Sequence, residues 1–217
     1  MFIVIDWIDG SGKWTQIELV AKELENKGKK VKVLDFPRYG ETSAFMVEKY
    51  LNWDYGKDIS AKQASIFYAI DRFQSYHDNK LDLEKYDYIL SNRYVSANMI
   101  HQAGKISDKT EKEEFLEWIA DLEYNIFWIP KPDKTIFLNV SPQMSQKLVL
   151  KKSEREYLKW GKKMDLHEED TDHLINAHAS AMSIVNQNPD WVKIDCEENL
   201  EMRSIEDITR NILDEII

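Results

Sequence analysis

Apolar residues recur along this chain in two rhythms. Five short runs, Phe2-Ile3-Val4-Ile5, Val31-Lys32-Val33-Leu34, Tyr88-Ile89-Leu90-Ser91, Thr135-Ile136-Phe137-Leu138-Asn139-Val140 and Trp191-Val192-Lys193-Ile194-Asp195, are short and rich in β-formers. The fourth is nearly continuous in apolar character, as strands buried on both faces of a parallel sheet are. Between them the spacing becomes helical. From Thr15 to Lys27, Ile17, Val20, Ala21 and Leu24 fall at i, i+3, i+4 and i+7, and Gly28 stands where a helix C-cap belongs. Further helices are predicted over Ser43 to Leu51, Ser60 to Tyr76, Ala97 to Ala103, Pro142 to Leu150, His167 to Val185 and Ile205 to Ile216. One more, over Lys109 to Tyr124, reads as acidic on its outer face. Strands alternating with helices predict an α/β fold of three layers, a five-stranded parallel sheet with helices on both faces. No repeat, low-complexity segment or linker interrupts the 217 residues, so residues 1–217 are expected to form one domain.

Composition narrows the classes. Hydrophobic residues make up 43%, enough for a core, and charged residues 31%, too many for a membrane protein. The N-terminal apolar run is too short for a signal peptide or a span. The net charge of −10 argues against a nucleic-acid partner, so an anionic ligand needs a local cluster of Lys and Arg. Cys196 is the one cysteine, which fits a reducing, cytoplasmic setting.

The candidate chemistry begins after the first strand, in Asp6-Trp7-Ile8-Asp9-Gly10-Ser11-Gly12-Lys13-Trp14-Thr15-Gln16. A strand feeding a glycine-containing turn that opens a helix is the setting of a phosphate-binding loop. Backbone N–H groups there converge on one anion, Lys13 supplies an ammonium for the terminal phosphates and Thr15 a hydroxyl at the helix start. Gly-x-Gly-Lys alone also fits an ordinary helix-opening turn. Arg38 lies in a Pro–Gly-bounded turn after the second strand, where open α/β sheets place ligand contacts. Tyr68 and Arg72, four apart, share a helix face and can stack on and hydrogen-bond a planar base. The polar run from Lys151 to Lys163 fits either a solvated helix surface or a lid that closes cations over phosphates.

Together these stretches resemble the thymidylate kinase family of P-loop nucleoside-monophosphate kinases. The resemblance covers essentially the whole chain. It is carried by the opening loop, Phe36-Pro37, Tyr68-Ala69-Ile70-Asp71-Arg72, Asn92-Arg93-Tyr94 with Gln102, Pro130-Lys131-Pro132-Asp133 and Ser204-Ile205-Glu206-Asp207. It implies transfer of the γ-phosphoryl group of ATP to dTMP, giving dTDP, with Mg²⁺, small-molecule substrates and a homodimer. It further implies a catalytic set of Asp9, Lys13, Arg93 and Arg155, with a helical lid over about residues 150–167. Gly10, Ser11, Gly12, Lys13, Trp14 and Thr15 are implied to line the ATP phosphates. On the acceptor side, Arg38 with Arg93 is implied for the monophosphate, and Tyr68, Arg72, Asn98 and Gln102 for the nucleoside. The resemblance assigns no metal ligand.

Three departures stand out. Asn92 replaces the family's aspartate, removing a carboxylate near the metal. Trp7 stands at a turn glycine, where a left-handed backbone would cost about 1–2 kcal/mol. Trp14 places an indole beside the phosphates. ATP binding and catalysis are therefore expected to be impaired, and a catalytically inactive nucleotide-binding homologue stays open. So does a kinase for another pyrimidine nucleotide or a deoxynucleoside, since Asn98 and His101 differ on the acceptor side. Glycine is scarce, 7 residues against roughly 15 at average usage, while tryptophan also numbers 7. Trp7, Trp14, Trp53 at a helix-ending turn and Trp128 before Ile-Pro-Lys-Pro-Asp stand at turn and loop positions. A UGA codon read as tryptophan in one genetic code and glycine in another yields this pattern; a degenerate homologue is the alternative.

Overall fold

The computed structural model describes residues 1–7, 13–56, 58–80, 83–148 and 171–217. Its centre is a parallel sheet of β1 (Phe2–Asp6), β2 (Val31–Asp35), β3 (Tyr88–Asn92), β4 (Lys134–Asn139) and β5 (Trp191–Asp195), in the order β2-β3-β1-β4-β5. β1 is therefore central, and all five of its residues are buried. The order reverses at β1, the kind of switch point where α/β sheets bind ligands beyond the strands' carboxyl ends.

Alternation along β1 divides the core. Ile3 and Ile5 pack in one cluster with Ile17, Val20 and Leu24 of α1 (Lys13–Asn26) and with Ile208 and Ile212 of α8 (Ile205–Ile216). Phe2 and Val4 pack in a second with Phe115 and Ile119 of α5 (Lys109–Ala120). The i, i+3, i+4, i+7 face read in α1 is thus the face that meets the sheet. Two further helices, α2 (Phe45–Leu51) and α3 (Ala61–Ser75), pack Tyr50, Ala64 and Phe67 in a smaller cluster of their own, and the α4 segment (residues 95–105) contributes Ile100 to the first cluster and Val95 and Ala103 to the second. A capping box, Ser60 with Gln63, starts α3.

Three predicted helices change pitch. α3 runs into a π-turn at Tyr76–Lys80, and α5 into another at Asp121–Ile126. The α4 segment opens as Val95–Ala97, widens to π at Asn98–Gln102 and closes as a 3-10 turn at Ala103–Lys105. Such turns concentrate at functional sites, because a wider turn re-aims side chains. Residues 142–148 form α6, α7 spans Thr171–Gln187, and a small hairpin, β6 (Glu197–Glu198) with β7 (Glu201–Met202), precedes α8. The expected lid and the start of the helix expected from His167 lie outside the described residues. No described helix is long and apolar enough to cross a membrane.

Candidate functional site

The phosphate-loop candidate begins where β1 ends. Asp6 is buried, and its carboxylate accepts the Trp7 backbone N–H at 2.8 Å and the Ser96 hydroxyl at 2.5 Å. Asp9, Gly10, Ser11 and Gly12 lie outside the described residues, as do the Lys13 side chain and Arg155. α1 opens at Lys13, with Thr15 exposed in its first turn.

Trp7 corrects an expectation. Its backbone is not left-handed, and the indole is 1% exposed inside the core shared by Ile5, Ile17 and Phe137. The burden is polar rather than conformational. The buried Nε1–H has no hydrogen-bond partner among the described residues, a cost of about 1–3 kcal/mol. Trp14 lies on the surface of α1 and donates its indole N–H to Glu18 Oε1 at 2.6 Å.

Beyond the strand ends a small cavity is lined by Phe36, Pro37, Tyr68, Arg72, Arg93, Ala97, Asn98, His101 and Gln102. It brings together five of the candidate residues, from α3, the β3 terminus and the α4 segment. Tyr68 meets Tyr50 edge-on, with centroids 6.3 Å apart at 86°. Gln102 is buried with its Oε1 unpartnered among the described residues. The rings of His101 and His173 stack at 5.6 Å, linking the wall to the first turns of α7.

Arg72 is fully buried and grips Glu123 with two hydrogen bonds of 2.6 Å, from Nε to Oε2 and from Nη2 to Oε1. Burial opposes its charge, but the attraction and hydrogen bonding of Glu123 outweigh it and hold the pKa above the ordinary arginine value. Asn98 donates to the same Oε1 at 3.3 Å and to the Ser65 carbonyl at 3.2 Å. Glu123 also corrects the sequence reading. It belongs to the stretch read as an acidic outer face, yet it is fully buried. An arginine in a helix's apolar stripe demands such a partner, but nothing local says that the partner lies 51 residues away.

The two phosphate-side arginines have different settings. Arg38 lies outside the cavity lining, with Nε on Asp71 Oδ1 at 2.9 Å, Nη1 on Asp78 at 3.1 Å and Nη2 on the Ser43 hydroxyl at 2.8 Å. Arg93 lines the cavity and holds φ at 60°, a left-handed conformation unusual for a long side chain. Beside it Asn92 donates to Asp35 Oδ1 at 2.6 Å, while its own Oδ1 is buried and unpartnered among the described residues. A second, polar cavity at the ends of β4 and β5 is lined by Asn139, Ser141, His178, Asp195 and Glu197. No sequence motif marks it. Burial and Lys193 lower the His178 pKa against the pull of Glu197.

Comparison with known proteins gives a consistent result. The profile of the family described as thymidylate kinase matches residues 5–206. A thymidylate kinase of Mycobacterium tuberculosis is 29% identical over 147 residues, 67% of this chain and 68% of that protein. A probable thymidylate kinase of Methanosphaera stadtmanae is 26% identical over 212 residues, 97% and 96% of the two chains. The solved thymidylate kinase of Candida albicans superposes with a TM-score of 0.72 at 18% identity, covering 99% of this chain and 90% of that one. This last likeness bears on the fold.

Proposed function

The chain belongs to the thymidylate kinase family, and we propose that it is a phosphotransferase moving the γ-phosphoryl group of ATP onto dTMP, with the described cavity as the acceptor site. The observation that carries this reading is the convergence of Tyr68, Arg72, Arg93, Asn98 and Gln102 on one cavity beyond the strand ends. In it, the Tyr68 ring stacks on thymine, Arg72 and Gln102 address the base edge, and Arg93 neutralises the phosphate. Positioning and charge neutralisation are most of what phosphoryl transfer requires.

On the donor side, Gly10 to Thr15 cradle the ATP phosphates with Lys13 on the terminal groups, and Arg155 reaches in from a lid at about 150–167. The donors suit Mg²⁺, which takes few protein ligands and prefers oxygen. No group of three or more acidic, His or Cys side chains gathers among the described residues, whereas the unpartnered Asn92 Oδ1 and the neighbouring Asp35 carboxylate are hard oxygen donors. Bound there, the ion would offset phosphate charge. Arg38, now held by Asp71 and Asp78, reaches the acceptor phosphate only by exchanging these carboxylates for it. A cytoplasmic homodimer completes the proposal.

Calorimetric titration with dTMP and with thymidine tests the pocket. The reading expects dTMP to bind the tighter and Arg93→Ala to erase the difference. Equal affinity of the unsubstituted protein for both ligands contradicts it.

A further inference from the structure

We propose that Glu123 is a positioning residue for the acceptor base, acting through Arg72; this rests on the acceptor reading above. Glu123 is absent from the cavity lining, yet it engages two residues that line it. Its two oxygens occupy Nε and Nη2, which fixes the plane of the guanidinium and leaves Nη1 as the edge without a hydrogen bond among the described residues. Arginine only donates. An arginine fixed in this way therefore selects a base that presents a carbonyl and rejects one presenting an exocyclic amine. The Asn98 amide on the same Oε1, anchored also on the Ser65 carbonyl, holds the carboxylate in register. Without the carboxylate, Arg72 keeps its charge but loses its direction, so selectivity falls along with affinity.

Calorimetry with dTMP and dCMP on Glu123→Gln, Arg72→Lys and the double variant tests this without the donor site. Glu123→Gln is expected to weaken dTMP at least tenfold and to narrow the preference for dTMP over dCMP by a similar factor, with the double variant no weaker than Arg72→Lys. If Arg72→Lys weakens dTMP but Glu123→Gln changes neither quantity, the positioning role is overturned and the acceptor reading stands. If Arg72→Lys itself leaves dTMP affinity unchanged, the acceptor reading fails instead. Should Glu123→Gln not fold, Glu123→Asp, which draws the carboxylate back by one methylene, is held to the same criteria.

Backbone geometry carries a second inference: the natural polypeptide has glycine at positions 53 and 128. Trp53 and Trp128 hold φ at 66° and 60°, a left-handed conformation that Arg93, Asn199 and Leu200 share and for which glycine is the default. An internal comparison sharpens this. At the end of α1, Gly28 at φ 77° donates to the Glu25 carbonyl and Lys29 to the Leu24 carbonyl. At the end of α2, Trp53 donates to Tyr50 and Asp54 to Lys49, the same double closure with tryptophan in the glycine position. Trp128 follows the π-turn of Asp121–Ile126 and is 80% exposed, so no packing compensates its backbone. Trp118 and Trp191 lie in a helix and a strand and show no such sign. Peptide sequencing by mass spectrometry of the endogenous protein decides the matter. Glycine is expected at 53 and 128, with tryptophan retained at 118 and 191; tryptophan at 53 or 128 overturns the inference.

Discussion

Truncating Tyr68 to alanine removes the ring assigned to stacking on thymine. Base–aromatic stacking is worth about 1–3 kcal/mol, so the dTMP dissociation constant should rise by roughly 5- to 150-fold, since about 1.4 kcal/mol is a factor of ten. Fold stability should change by a smaller amount. The ring is only half-buried, and it meets Tyr50 edge-on with centroids 6.3 Å apart. Such a pair contributes about 0.5–1.5 kcal/mol beyond area burial, which in a chain of this length lowers Tm by about 1–6 °C. Tyr68→Phe keeps both the stacking face and the edge contact, so its affinity should stay near that of the unsubstituted protein. Calorimetric titration of the three proteins, with thermal melts alongside, separates loss of ligand contact from loss of fold. Unchanged dTMP affinity in a folded Tyr68→Ala protein refutes the stacking assignment.

Three other perturbations probe different parts of the account. Gly104 abuts α7 so closely that an added Cβ would lie 3.0 Å from Ala177 N and 3.1 Å from Asn176 C, both backbone atoms. Gly104→Ala should therefore cost about 1–3 kcal/mol, read as a lower Tm, and an unchanged Tm contradicts the packing. Trp14→Gly, made together with Trp7→Gly, removes the exposed indole from the start of α1 and should raise kcat/KM for ATP. The double change should also lower Tm, because emptying the Trp7 site costs about 3–5 kcal/mol less the relief of its unpartnered N–H; an unchanged kcat/KM for ATP sinks the obstruction argument. Burial pushes the Cys196 thiol up to about 12 against the pull of Arg203, from an ordinary 9.0. A raised pKa contributes stability that is complete below pH 9 and is lost as pH climbs towards 12. The native protein should therefore resist iodoacetamide at pH 8 and react fully in denaturant; rapid native alkylation contradicts the burial.

Much of the scaffold was legible because periodicity reports burial directly. The five apolar runs became the five strands within a residue or so, and the stripe of Ile17, Val20, Ala21 and Leu24 became the core face of α1. Pitch was less legible. The π-turns at Asn98–Gln102 and Asp121–Ile126 begin inside stretches whose residue spacing reads simply as helix. The site was half-legible. Tyr68 and Arg72 face one cavity because i and i+4 share a helix face, a local rule. Glu123 was hidden, because a buried carboxylate and a solvated one look alike until the partner 51 residues away is placed. Trp7 misled in another way. A residue just past a strand's end can bury its side chain in the core instead of adopting a left-handed turn, and nothing in a single sequence chooses between the two.

An ADP-release assay with ATP and Mg²⁺, run across dTMP, dUMP, UMP, AMP and thymidine as acceptors, decides whether the protein is a dTMP kinase. The account predicts turnover with dTMP, identified as dTDP, at the highest kcat/KM of the five. Turnover of AMP or thymidine in preference to dTMP, or none with any acceptor in a folded protein, contradicts it.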